Sequence, residues 1–250
     1  MGPAIFLKPL FGWSPRQFVF PTAQECSERF NVKVVFTLMC VVVCSLMCVS
    51  TAEAQWTDLI ANRSLHHWMK PSGESVDQGW TFDSDGTLHL KGRGGNIITR
   101  RHYCDFELWF DFRISEKGNS GVKYRVKKYG TSLLGCEYQV LDDSAFPKLD
   151  RNHITASLYD IYEPMAKPTR VNPVGEFSTA KVLVQGNRIR HWVNGQLTID
   201  VCAGSPGWNT HVQNSKFNKR DRFGQNRMGR IMLTDHNSEV WYRNVYIRPR

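Results

Sequence analysis

The segment Phe106–Ile114 reads FELWFDFRI, and its parity is strict. Phe106, Leu108, Phe110, Phe112 and Ile114 fall on one side, Glu107, Trp109, Asp111 and Arg113 on the other. That period of two is the mark of a strand with one face on a core. Shorter segments repeat the pattern. Trp80-Thr81-Phe82 and Thr87-Leu88-His89-Leu90 flank a hairpin-type turn at Asp85-Gly86. Ala180 to Val184 and Arg188 to Val193 flank Gln185-Gly186-Asn187, and Asn194-Gly195 leads into Gln196-Leu197-Thr198-Ile199. Asn-Gly between alternating segments is a strong hairpin signal, because both residues tolerate positive φ. Gly92-Arg93-Gly94-Gly95 breaks the chain before Asn96-Ile97-Ile98-Thr99; no helical pattern follows it, which argues against a phosphate loop. Helical periodicity is thin throughout. About ten short strands with regular turns predict an all-β jelly-roll sandwich of two antiparallel sheets.

Two further stretches alternate with unusual polar residues. Gly118 to Arg125 is followed by Gly135 to Asp142, and Gly229 to His236 by Val240 to Ile247. Each couple reads as a strand pair. Lys and Asp suit a solvated face, whereas a row of Tyr, Arg, Glu, Gln and His suits the floor of a polar groove able to hold a sugar. The alternation assigns Trp192 and Trp241 to the core, His191 to a core or solvated position, and Arg243-Asn244 to a strand-edge pair. Asp143 to Ser178, punctuated by Pro147, Pro164, Pro168 and Pro173, reads as a long loop over the sandwich, and loops of that length often carry function.

Val34 to Val49 is almost wholly apolar, follows Arg29 and Lys33, and is followed by Ala52-Glu53-Ala54. These three parts describe a secretory signal peptide over residues 1–54, with the mature chain starting at Gln55 and no stable membrane anchor. The expected location is periplasmic or extracellular. Residues 55–250 make one domain, long enough for a substantial core. Four of the seven cysteines precede Gln55; Cys104, Cys136 and Cys202 remain, in no metal-ligand spacing, and read as buried structural thiols. The net charge is +9, and four basic and three acidic side chains precede Gln55, leaving +8. The basic residues are scattered, so a solvated basic surface is expected rather than a nucleic-acid interface. The sequence does not fix the oligomeric state.

An ordered set of residues then resembles a known family. It includes Trp80, Asp85-Gly86, Gly94-Gly95, Asn119-Ser120-Gly121, Tyr124-Arg125, Glu137-Tyr138-Gln139, Asp142, Leu158-Tyr159, His191-Trp192-Val193-Asn194-Gly195, Asp235-His236 and Trp241-Tyr242-Arg243-Asn244-Val245. Together these resemble the 3-keto-disaccharide hydrolase domain of exported bacterial proteins, across essentially all of residues 55–250. The resemblance implies a concanavalin A-like jelly-roll sandwich and cleavage of glycosides whose glucose ring carries a ketone at C3. Two places depart from the family pattern. Gly175-Glu176-Phe177-Ser178 stands where Gly-Glu-Trp-Asn is usual, and Leu233-Thr234-Asp235-His236-Asn237 where Leu-Gln-Asp-His-Gly is usual. Both are expected to alter substrate contacts.

A C3 ketone acidifies the proton on C2. Its removal, β-elimination of the anomeric group and addition of water at C1 would cleave the glycoside. Such a site needs a base, a cation for the enolate and an acid for the leaving group. His236, Glu137 and Asp142 are the candidates for proton transfer, and Arg125, permanently charged, is the candidate oxyanion partner. Tyr124, Gln139, Tyr159 and Asp235 are the candidate substrate-binding residues. No cofactor is demanded; a divalent metal ion, if one is used, would draw on Glu137, Asp142 and His236. The expected partner is an oligosaccharide or glycoside substrate. A non-catalytic, lectin-like carbohydrate-binding module stays open as the alternative, since fold does not fix function. A conventional retaining glycosidase needs two carboxylates about 5 Å apart, and no strand carries a closely spaced acidic set to supply them.

Overall fold

A strand with one apolar face is stable only when that face is covered, and this chain covers each sheet with the other. The computed structural model describes residues 55–250. The signal peptide expected over residues 1–54 lies outside the described residues. In chain order the strands are β1 (Thr57–Asp58), β2 (Trp68–Met69), β3 (Trp80–Phe82), β4 (Leu88–Leu90), β5 (Ile97–Thr99), β6 (Phe106–Ile114), β7 (Asn119–Tyr129) and β8 (Ser132–Leu141). After a long loop come β9 (Ser178–Gln185), β10 (Arg188–Val193), β11 (Gln196–Cys202), helix α1 (Pro206–Gln213), β12 (Arg230–Asp235) and β13 (Val240–Pro249). One sheet runs β11-β10-β9-β6-β13-β4-β3, with β1 also on β13; the other runs β2-β5-β12-β7-β8, and every pairing is antiparallel. This is the expected jelly-roll sandwich. Among the described residues no helix is long and apolar enough to cross a membrane.

β6 keeps the predicted parity: its five apolar residues are buried in the core, and Trp109 is exposed on the opposite face. Phe110 meets Tyr138 of the facing sheet edge-on at 5.4 Å between ring centroids. Truncating such a fully packed ring costs about 3–5 kcal/mol, so this aromatic seam is a main tie between the layers. The hairpins at Asp85-Gly86 and Asn194-Gly195 form as expected, with Gly86, Asn194 and Gly195 all at positive φ.

Several expectations are corrected. β12 and β13 do not pair: β12 lies between β5 and β7, and β13 lies between β6 and β4 in the other sheet. Their polar positions therefore face opposite sides of the molecule, although Ser120 Oγ and Tyr242 Oη join the two layers at 2.9 Å. The short connection crosses between sheets at Asn237, whose φ is 63°. Of the three cysteines among the described residues, Cys104 and Cys202 are exposed free thiols and Cys136 is buried. Trp192 and Trp241 lie on the outer face of the larger sheet, against Lys181, Arg190 and Arg113. Helix α1 had no periodic signal, but Ser205-Pro206 starts it: Ser205 Oγ accepts from Trp208 N–H, and Trp208 and Val212 anchor it in the core.

Candidate active site

The outer face of the five-stranded sheet holds the groove. On β7 the residues Ser120, Val122 and Tyr124 turn inward, leaving Asn119, Gly121 and Lys123 outside; on β8 Cys136, Tyr138 and Val140 turn inward, leaving Glu137, Gln139 and Leu141 outside. Register sets the rows: Gly121 stands between Thr234 and Gln139, and Lys123 between Met232 and Glu137. Glu137 is 4% exposed and its Oε2 lies 3.5 Å from Lys123 Nζ. Its Oε1 is buried and has no hydrogen-bond partner, and it sits where a Cβ on Gly121 would be. The glycine makes the space into which the carboxylate leans.

The proline-rich loop covers one end of this floor. It docks on the free edge of β8: Ala156 N–H donates to Gln139 O at 3.0 Å, and Tyr159 N–H donates to Glu137 O at 3.0 Å. That second bond puts the Tyr159 side chain beside Glu137. Tyr159 is edge-on to His153, and Lys216 Nζ lies 4.0 Å from its ring centroid. Asp160 clamps the corner, with its carboxylate on the His153 ring nitrogen Nε2 at 3.0 Å and on Lys216 N–H at 2.8 Å. Between loop and sheet lies a cleft of about 300 Å³, lined by Asn119, Gln139, Leu141, Phe146, Leu149 and Tyr159 among others. Phe146 and Leu149 are exposed and form an apolar rim.

His236 follows β12 at the groove's edge, within electrostatic reach of Glu137, Lys123 and Lys216. His236 is exposed at this edge; partial desolvation by its neighbours lowers its pKa, and the Glu137 charge pulls the other way but does not prevail. The imidazole is therefore neutral near pH 7. Burial raises the Tyr159 pKa, and the nearby Glu137 and Asp160 charges add to the effect, so the phenol keeps its proton.

Of the residues expected from sequence, Glu137, His236, Gln139 and Tyr159 converge here. The others do not. Tyr124 is in the core, its hydroxyl 2.8 Å from His191 Nε2. Arg125 is 1% exposed and points away from the groove, donating from Nη1 to Gly224 O at 2.9 Å and from Nη2 to Gly186 O. Asp142 caps a short turn: its Oδ1 accepts from Ser144 N–H and Ala145 N–H, and its Oδ2 from Lys117 N–H. Burial raises its pKa, yet these bonds outweigh it and hold the carboxyl below its usual value. Asp235 likewise closes a loop, accepting from Gly95 N–H at 2.7 Å and Asn237 N–H at 2.7 Å. With Asp142 consumed, the expected metal ligands do not assemble, and among the described residues no three His, Cys, Asp or Glu side chains converge as a metal site. Of the two departures, Thr234 lies on the groove floor beside Gly121, whereas Phe177 stacks on Arg113 and Arg243 at the other sheet.

Lys123 is the residue the sequence reading missed, and the cause is one extra residue. Counted back from the hairpin, where Tyr129 pairs with Ser132, Glu137 would face Tyr124; a bulge between Tyr124 and Lys127 makes the partner Lys123. Arg125, at φ 53°, occupies that bulge. A slip of one residue exchanges the two faces of a strand, which sends Tyr124 inward and brings Lys123 onto the groove. Asn119 shares the parity of Gly121 and was legible from it; His153 and Lys216 arrive on loops and carried no signal.

Comparison with known proteins agrees with this architecture. A family model described as 3-keto-alpha-glucoside-1,2-lyase-like domain matches residues 55–248. The chain is 29% identical over 222 residues to a 3-keto-disaccharide hydrolase of Bacteroides thetaiotaomicron, covering 74% of this chain and 75% of that protein. A crystal structure from Parabacteroides distasonis, named as a candidate glycosyl hydrolase, superposes with a TM-score of 0.71 at 28% identity over 78% of this chain and 94% of that one. A second structure from the same organism, named likewise, gives a TM-score of 0.64 at 21% identity over 78% and 100%.

Proposed function

The chain belongs to the 3-keto-alpha-glucoside-1,2-lyase-like domain family and is a glycoside-hydrolase-type enzyme, and from that premise we propose that it cleaves 3-keto-glycosides by elimination across C1 and C2 followed by hydration. The observation that carries the proposal is the Glu137 carboxylate, buried on the groove floor with one oxygen free and Lys123 on the other. Glu137 Oε1 takes the proton from C2. The electron pair moves into the C2–C3 bond, and the Lys123 ammonium holds the oxygen of the C3 enolate; a fixed cation in a partly dry groove stabilises such a charge far better than water does. As the C1–O bond breaks, the Tyr159 phenol protonates the departing aglycone oxygen. This step leaves a C1=C2 double bond conjugated with the C3 ketone, plus the free alcohol.

Water then adds at C1. The neutral His236 imidazole accepts its proton, and Glu137 returns the first proton to C2. Transfer from His236 to Tyr159 through solvent restores the starting charges. The products are the 3-keto sugar and the alcohol, and one water is consumed. Gln139 and Asn119, which line the cleft, would hydrogen-bond ring hydroxyls. The exposed Phe146 and Leu149 rim of the cleft would pack on the aglycone.

The test is Glu137→Gln on a 3-keto-glucoside and on its parent glucoside. The native enzyme should release aglycone only from the ketone, and Glu137→Gln should lower kcat by about 10²–10⁴-fold with little change in melting temperature. A lectin-like module would bind both sugars and cleave neither. Equal turnover of the two substrates would refute the elimination, since only the ketone acidifies C2–H.

A further inference from the structure

The opposite face of the sandwich carries a second feature that the cleavage reaction does not use. Across the eight-stranded sheet, register aligns Trp192 on β10, Lys181 on β9, Trp109 on β6 and Tyr246 on β13 in one row perpendicular to the strands. With about 4.8 Å between neighbouring strands, the row spans about 14 Å, close to the length of three pyranose units. Trp109 and Tyr246 are each 37% exposed, and Trp56, at 38%, closes one end. These three rings, with Asp111, Thr179 and Asn244, line a cavity of about 540 Å³. Exposed aromatic faces beside a few polar groups are what the apolar faces and the hydroxyls of a sugar require.

The unpaired cations gather at the β9–β10 end of this face. Glu107 is paired with Arg248 and Arg250, Asp111 with Arg243, and Asp200 with Arg188; at the far end Asp58, in register with Tyr246, and Asp85 form no ion pair among the described residues and accept from the backbone N–H groups of Ile60 and Thr87. Arg113, Lys181 and Arg190 have no acidic partner among the described residues. All three lie on aromatic rings: Lys181 Nζ is 3.9 Å from the Trp192 centroid and 5.2 Å from that of Trp109, and Arg190 is 5.6 Å from Trp192. The Nε atoms of Arg113 and Arg190 are buried without hydrogen-bond partners. Cations set between stacking platforms fit carboxylates set between sugar rings.

We propose that this row is a binding site for an acidic polysaccharide, a chain of uronate residues, separate from the cleavage groove. Rings would stack on Trp109 and Tyr246 while Lys181 and Arg190 meet the carboxylates. The site would hold the enzyme on acidic glycan without taking part in bond cleavage.

Native affinity electrophoresis of residues 55–250 tests this with three gels, containing polygalacturonate, hydroxyethylcellulose or polyglutamate. Retardation is expected in polygalacturonate alone. Lys181→Gln and Trp109→Ala should each reduce it at least about fivefold, while Glu137→Gln keeps it. Turnover of a small 3-keto-glucoside should stay within about twofold of native for Lys181→Gln and Trp109→Ala, which also shows that both are folded; if Trp109→Ala does not fold, Tyr246→Ala takes its place. Equal retardation by polyglutamate would reduce the effect to net charge and overturn the proposal. So would equal retardation by hydroxyethylcellulose, or unchanged retardation of the Lys181 and aromatic variants.

Discussion

Lowering the pH from 7 to 5 should cost this fold about 2 kcal/mol through one side chain, His191. The residue is 0% exposed, between Tyr124 and Tyr138, with Nε2 2.8 Å from the Tyr124 hydroxyl. Desolvation drives its pKa from 6.5 down to about 3, and the nearby backbone of Ala156 and Ser157 recovers only part of that. Between those two values the unfolded chain binds a proton at this position and the folded chain does not. Stability therefore rises with pH across that window and is lost as pH falls through it. pH 5 lies about 1.5 units below the unfolded value, and each unit is worth about 1.4 kcal/mol, which gives the figure of about 2 kcal/mol. The result hardly depends on the folded value so long as that stays well below 5. For a domain of this size it corresponds to a fall in Tm of about 4–8 °C. His67, His102 and His236 are also lowered, chiefly by desolvation, and add to the native slope. The comparison with His191→Gln removes their share, because glutamine stays neutral and can still reach the Tyr124 hydroxyl. Thermal melts of both proteins at pH 7 and pH 5 decide the matter. The native Tm should fall more than that of the variant by about 4–8 °C; equal falls would refute the burial argument for His191.

Gly121→Ala places a methyl group where Glu137 Oε1 lies, so turnover should fall at least about tenfold, with a smaller change in Tm than a core truncation gives; a variant with native kcat would remove Glu137 from the reaction. Arg125→Met strips the donors from Gly224 O and Gly186 O, which should cost about 2 kcal/mol and lower Tm by about 4 °C or more while the folded protein keeps its kcat; loss of kcat at native Tm would return Arg125 to the active site. Protein recovered from the periplasm or medium should begin at Gln55 by N-terminal sequencing, because Ala52-Glu53-Ala54 abuts the apolar run; a protein that keeps Val34 to Val49 would point to an anchor instead.

What the chain determines by itself is whatever depends on parity and punctuation. FELWFDFRI collects five apolar residues on one face and sets Glu107, Trp109, Asp111 and Arg113 on the other, so β6 and its core-facing set follow from the letters alone. Asn194-Gly195 and Asp85-Gly86 mark turns because few other residues accept their backbone angles. Gln139 and Glu137, two apart on one strand, had to share a face, and their place together in the groove was legible. Tertiary structure decided the rest. Whether β12 and β13 lie side by side or in opposite sheets depends on which strands compete for their edges, and no local pattern records that contest. The single bulged residue at Arg125 exchanged Tyr124 for Lys123 opposite Glu137; alternation continues unbroken in the letters, while the backbone slips by one. In sequence Asp142 looks like a proton-transfer carboxylate and Asp235 like a substrate-binding one, but both become loop caps because backbone N–H groups reach them first. Tyr159 gains its place only when its loop hydrogen-bonds to the edge of β8. A sequence states which side chains share a face; which faces meet, and which polar atoms are left over for a ligand, is settled only when every backbone donor and acceptor has found its partner.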